Sequence, residues 1–398
     1  MASWHVLRQR NFAPYWVGNA TSASGTWFQN LAAGVLVFRL THSALMLGIL
    51  TAFQYGPVLL LSPWTGRVAD AVDRRKLLLC TQTLAACSSA ILAVLVWTGS
   101  VNAWVVIAFA GSLGVVTAFS NPAQMAMVGM LVPSALLSEA VALNSMTFNI
   151  ARAVGPATAA AVIAAFGIAP AFAINSFSYL LLVAGLFLVR PRRVAPTGGR
   201  TTLRASFGIL REKPRLAGYL LIVMAVGMAS DPVNTEGPAI VHSFGYPPVW
   251  AGSVVGCFGV GAVLAALFYR HRSQRHTAAS MLLFGGGVAF LAASPWLPLG
   301  LVFVLLAGVG YLSANASATT MLQLGVEEAH RGRIMALWSI AFLGTRPLAS
   351  LVDGTIASWA GVRVAAPVLA IPVLVAAVFL LRAQRVQRKP SEVGLTNA

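Results

Sequence analysis

Four ionisable residues interrupt apolar sequence, and they are where this chain could do chemistry. Arg152 and Arg346 lie within long apolar runs, and Asp231 and Glu236 lie in the segment Asp231-Pro-Val-Asn-Thr-Glu236-Gly-Pro238. A charge at membrane depth is expensive, so it faces a cavity or a partner. The arginines would bind an anionic or carbonyl-rich solute, or repel cations. Equally, they would cap backbone carbonyls or meet an acid such as Asp353 or Asp70. Arg346 and Asp353 are seven residues apart, which shares a helix face without direct contact. The two acids are the candidates for a group that takes up and returns a proton, although Glu236 would also suit the outer headgroup zone. Two prolines and Gly237 argue for broken helix around them. Unwound backbone at membrane depth is tolerated only where it is covered by protein or lines a cavity. Gln29, Asn30, Gln54, Asn121, Gln124, Asn149, Asn315 and Trp338 are further candidates for that cavity, Asn121 and Asn315 foremost as repeat mates, and interhelical hydrogen bonding explains them equally well.

The elements that must position these residues are membrane helices. Of 398 residues, 58% are hydrophobic and 9% charged, against about 25% charged in soluble domains. A helix needs about 20 apolar residues to cross the hydrocarbon core. Twelve such segments are expected, near 13–38, 43–68, 77–98, 102–129, 139–166, 169–189, 216–241, 248–270, 277–297, 299–324, 332–358 and 363–382. The expected fold class is therefore an all-α membrane protein of twelve transmembrane helices. Of 27 Lys and Arg residues, 23 fall in segments on one side, Arg39 and Arg363 fall on the other, and Arg152 and Arg346 lie within spans. Cytoplasmic loops carry the Lys/Arg excess, so both termini are expected in the cytoplasm of a bacterial inner (cell) membrane protein. The net charge of +17 would suggest nucleic acid. The basic residues are dispersed among helix-flanking loops, so anionic membrane lipids are the expected partner and nucleic acid is not. No Walker loop, metal constellation or nucleophile elbow is present, so neither an enzyme nor a cofactor is implied. Gly252, Gly256 and Gly261 lie inside an apolar run with no strand before it, which indicates close helix packing rather than a nucleotide site.

The chain divides into residues 1–190, a basic linker at 191–214 and residues 215–398 with a basic tail. The halves repeat. A shift of 194 residues places Asn121 on Asn315, Ser145 on Ser339, Phe148 on Phe342, Arg152 on Arg346 and Gly167 on Gly361. Six spans per half share one orientation, which predicts a pseudo-two-fold axis along the membrane normal and a site between the halves.

This architecture resembles the major facilitator superfamily. The loop Gly66-Arg-Val-Ala-Asp70-Ala-Val-Asp73-Arg74-Arg75-Lys76 is similar to its signature loop. Leu40-Thr-His-Ser-Ala44, Asn121-Pro122-Ala123, Leu131-Val-Pro133, Ala142-Leu-Asn144-Ser145, Arg152-Ala-Val-Gly155-Pro156 and Arg331-Gly332-Arg333 resemble the enterobactin-exporter-like, drug-proton antiporter branch. Two departures stand out: Ala71 where the signature loop has a basic residue, and no charge in helix 4 from Trp104 to Gly129. The second puts proton coupling in question.

The resemblance implies a cytoplasmic gate of Gly66, Asp70, Arg74, Arg75, Arg331 and Arg333. Asp70 would meet the positive end of helix 11 and close the cytoplasmic side. The plainer alternative is a topology-setting basic loop. Gly155 and Pro156 resemble the helix 5 motif of exporters, or mark a simple proline kink. The combined expectation is a monomeric secondary transporter that exports a small amphipathic molecule, drug-like or siderophore-like, by proton antiport with alternating access. An importer or facilitator, or a non-transporting membrane receptor, is the alternative.

Overall fold

The computed structural model describes residues 4–192, 208, 210–268, 274–327 and 331–388. Its α-helices are α1 (Ala13–Thr41), α2 (Ala44–Ala71), α3 (Arg74–Trp97), α4 (Ala103–Leu131), α5 (Leu137–Phe166) and α6 (Ala169–Leu188), then α7 (Pro214–Ala229), the short α8 (Asp231–Asn234) and α9 (Gly237–Ser243), α10 (Ala251–Phe268), α11 (Gln274–Ala293), α12 (Leu297–Leu324), α13 (Arg331–Leu343), α14 (Arg346–Ala360) and α15 (Val362–Arg388). No strand occurs among the described residues.

Local sequence sets the helix ends. Ser43, Asp73 and Asn102 each accept a hydrogen bond from the backbone N–H three residues on, which caps α2, α3 and α4. Gly167 and Gly361, related by the repeat, end α5 and α14 with φ of 87° and 88°. A side chain is rarely found in that conformation, so both halves use glycine to make the same turn.

Two expected spans are interrupted. The seventh is divided into α7, α8 and α9, as the prolines at 232 and 238 require. The eleventh, expected as one helix, is divided into α13 and α14 at Gly344-Thr345, with Pro347 next to the break. Ten helical stretches among the described residues are long and apolar enough to cross a membrane. The divided eleventh segment and α1, which carries Asn19, Gln29 and Asn30, are not among them.

Loops fall at two ends. Phe38, His42, Ser43, His242, Ser243, Ser358 and Val362 line one cleft of about 310 Å³, which places their loops together. At the other end Arg75 reaches the carbonyls of Leu186 and Phe187, and the Arg192 N–H donates to the Met130 carbonyl. The predicted linker at 191–214 lies largely outside the described residues.

Helices α1–α6 pack on one another, as do α7–α15, and two seams join the groups. In the first seam α2 meets α14. A Cβ on Gly48 would collide with the Ser350 carbonyl, while Ser350 Oγ donates to the Gly48 carbonyl at 3.2 Å. In the second seam α5 meets α10, where Gly252 lies against the Pro156 carbonyl and Ala160, and Gly256 against Ala157. Small residues let backbones approach where apolar burial offers no drive, which accounts for the glycines of α10.

Candidate functional site

The site lies between the two seams. A cavity of about 50 Å³ is lined by α1, α2, α5 through Pro156, the broken seventh segment, α10 and α14, with Trp27, Asn30, Gln54, Tyr55, Asn234 and Arg346 on its walls. Pro232 and Pro238 carry no N–H, so the helix they interrupt must find other hydrogen bonds. Asn234 Nδ2 donates to the Ser230 carbonyl at 2.6 Å, and Thr235 Oγ1 donates to Asp231 Oδ1 at 3.1 Å. Across the interface, Thr51 Oγ1 of α2 donates to Thr235 Oγ1 at 3.3 Å. The break is thus held from both halves.

Three acids are buried here. Asp231, Glu236 and Asp353 are 0%, 1% and 0% exposed. Both carboxyl oxygens of Glu236, both of Asp353 and Oδ2 of Asp231 meet no hydrogen-bond donor among the described residues. Glu236 lies within the field of Asp353 and Asp231, and Asp231 within that of Arg346. Buried polar groups are nearly always paired, so five such carboxyl oxygens without a donor among the described residues stand out.

The two repeat-related arginines each reach an aromatic ring of the opposite half. Arg346 opens α14 with its guanidinium carbon 4.5 Å from the centre of the Tyr55 ring. Arg152 of α5 stands 4.9 Å from the Tyr311 ring, 5.7 Å from Phe258 and 5.8 Å from Trp27. Its Nη1 donates to the Tyr311 hydroxyl at 3.0 Å and its Nη2 to Asn234 Oδ1 at 3.5 Å. Gly155, one turn on, leaves room for Trp27 to press against α5, since a Cβ there would lie 2.7 Å from the Trp27 Cβ. Pro156 sits inside α5 without breaking it.

The other candidates are placed differently. Gln29 is inside the first group of helices, where its Oε1 accepts from Ser89 Oγ and Asn175 Nδ2, both at 2.7 Å. Gln124 offers its backbone carbonyl to the Tyr15 hydroxyl at 3.2 Å. Asn121 is half-buried on α4, and Asn315 Oδ1 on α12 is buried and has no partner among the described residues. Arg75 caps α6, and Arg74 Nη1 lies 3.7 Å from Met130 Sδ. Gly66 and Asp70 are in the last turns of α2, and Arg331 and Arg333 are in the first turn of α13. Nothing more is described of these four positions, so a contact between them lies outside the described residues.

Sequence reasoning passed over Trp27, Tyr55, Phe258 and Tyr311, and it considered Asp353 only as a partner for arginine. One signal was available. Gly344-Thr-Arg346-Pro347 carries the same helix-breaking chemistry as Asp231-Pro232, and a break there directs attention to α14 and hence to Asp353.

The geometry agrees with what is found by comparison. A family model described as transmembrane secretion effector matches residues 1–393. The chain is 25% identical to the multidrug efflux pump Tap of Mycolicibacterium fortuitum, over 91% of this chain and 93% of Tap. It is 26% identical to the enterobactin exporter EntS of Escherichia coli O1:K1 / APEC, over 78% and 76%. Its fold is similar to that of a bacterial homologue of the human lysosomal transporter Spinster, solved inward-facing and occupied. The TM-score is 0.76 at 12% identity, covering 95% of this chain and 97% of that one.

Proposed function

The chain belongs to the transmembrane secretion effector family of the major facilitator superfamily, and from that premise we propose that it exports a small amphipathic molecule across a bacterial inner membrane by proton antiport. In this reading it crosses twelve times, with both ends and the 191–214 linker in the cytoplasm. The halves 1–190 and 215–398 rock about the central cavity. The name of EntS, a siderophore exporter, and that of Tap, a drug pump, frame the substrate class.

The observation that carries proton coupling is the orphaned state of Glu236, Asp353 and Asp231 Oδ2 beside the cavity. A carboxyl group with no donor to stabilise its charge is suited to carry a proton through the closed state and release it when water enters. The uncharged helix 4 is consistent with coupling placed instead in the second half. Asp70, with Arg331 and Arg333, would close the cytoplasmic side in the outward-facing state.

The test is proton movement on addition of substrate to proteoliposomes, across siderophores and lipophilic cations. Solute-driven proton flux in the wild type, lost in both Glu236→Gln and Asp353→Asn, is expected. Solute flux that proceeds without protons would replace antiport by facilitated diffusion, and a solute bound without flux would indicate a receptor.

A further inference from the structure

Arg152 and Arg346 occupy equivalent positions in the two repeats, yet their surroundings differ in charge. Arg346 has Asp231 in its field. Among the described residues Arg152 meets three rings, a phenol and a carboxamide, and no carboxylate. Its Nε–H is buried and unpartnered. A guanidinium offers five donors in a planar fork that matches a carboxylate or phosphate two bonds at a time. Here two donors are spent on neutral oxygens, one of them at a long 3.5 Å, and Nε–H is unused. The rings of Trp27, Phe258 and Tyr311 supply the other half of the picture. Aromatic faces within about 6 Å of a cation form a box that recognises cations, and this box, drawn from α1, α10 and α12, is filled by the protein's own arginine. Trp27 and Asn234 also line the central cavity, so Arg152 stands directly behind two of its wall residues.

We propose that Arg152 is the anchor for an anionic group of the substrate, a carboxylate or a comparable oxyanion, and that in the absence of substrate it rests in an aromatic box which it thereby denies to cations. The inference rests on the export reading for its physiological meaning, because it names the substrate class of that same cavity. The resting acceptors are neutral, so an anion that pairs with Nε–H and Nη replaces bonds to uncharged oxygens by bonds in which both partners are charged. The box would then explain charge selection by one side chain: with the arginine present, cations meet an occupied site and a like charge.

The test uses the full chain in lipid nanodiscs, with salicylate as the anionic probe and tetramethylammonium as the cationic one, both by equilibrium dialysis. The wild type is expected to bind salicylate and not tetramethylammonium. Arg152→Ala should weaken salicylate binding by about tenfold or more and create tetramethylammonium binding in the vacated box. Tyr311→Phe, which removes one acceptor that holds the arginine at rest, should tighten salicylate binding roughly threefold. This second variant keeps the ring, so it answers even if Arg152→Ala does not fold. Salicylate binding unchanged in Arg152→Ala, or weakened in Tyr311→Phe, overturns the proposal. So does a wild type that exports a dye yet does not bind salicylate, an outcome that leaves the export reading intact. Salicylate bound through Arg152 with no flux of any solute would overturn export and leave the anchor standing.

Discussion

At the residue scale, position within the fold separates polar side chains that look alike in sequence. Gln29 and Glu236 are both polar and both buried, Gln29 on α1 and Glu236 in the break between α8 and α9. Gln29 Oε1 takes two hydrogen bonds from α3 and α6, while Glu236 takes none among the described residues. The first is interhelical glue, and the second, in the proposed reading, is available for proton exchange. Gln29→Leu should therefore strand the Asn175 amide and the Ser89 hydroxyl, costing roughly 1–3 kcal/mol. That loss would be read as a lower midpoint of thermal unfolding in detergent, with substrate preference unchanged. Asp353→Asn exchanges one unpartnered buried polar group for another of the same shape, so it should cost less stability than Gln29→Leu, about 1 kcal/mol or less, while removing proton coupling. A large stability loss in Asp353→Asn would mean that the acid is held by contacts a carboxamide cannot keep, and it would remove Asp353 from the coupling site.

At the element scale, helix continuity follows from proline and glycine placement, and this was legible in part. The break at Asp231-Pro232 and Gly237-Pro238 was readable because two prolines and a glycine fall within eight residues of an apolar run. The break at Gly344 to Pro347 carries a weaker form of the same signal, one glycine and one proline, and a single proline is also compatible with the first turn of a helix. The repeat was legible because identical residues recur at one shift, and it correctly matched the glycine turns at 167 and 361. What a repeat cannot disclose is which ring of the other half an arginine meets, since that depends on how α2 and α14, or α5 and α10, cross. Tyr55, Phe258 and Tyr311 therefore had no sequence signal. The seams themselves make a prediction. Gly48→Val places a branched side chain against the Ser350 carbonyl, and overpacking of this kind costs about 1–3 kcal/mol. The α2–α14 seam should then favour separation, seen as roughly tenfold or greater acceleration of thiol labelling at Thr51→Cys in a chain freed of Cys80, Cys87 and Cys257. Labelling no faster than in the glycine parent would show that α2 shifts to absorb the valine and that the seam does not control access.

At the scale of the whole molecule, the volume of the central cavity sets a requirement. Drug-sized ligands occupy pockets of about 300–1,000 Å³, and the cavity between the seams holds about 50 Å³. Substrate cannot lie there unless the halves part. They cannot part at both ends together without joining the two aqueous phases, so one end must stay shut while the other opens. The end that carries His42 and His242 is well placed to act as one of these closures. Their rings, from opposite halves, lie 6.1 Å apart, and the Phe38 ring touches both, at 5.9 Å and 5.4 Å. A covalent tie across that contact should hold the end shut without touching the cavity. In a chain lacking its three native cysteines, His42→Cys with His242→Cys joined by a short bifunctional maleimide is expected to lose at least nine-tenths of transport, an amount that requires stabilisation of the closed end by about 1.4 kcal/mol or more. Binding of substrate offered from the opposite end should survive, because that end remains free to open. Cleaving the linker should restore flux. Transport that continues with the tie in place would show that α1 and the end of α9 move as one body, and the closure would then have to be sought between other pairs of helices.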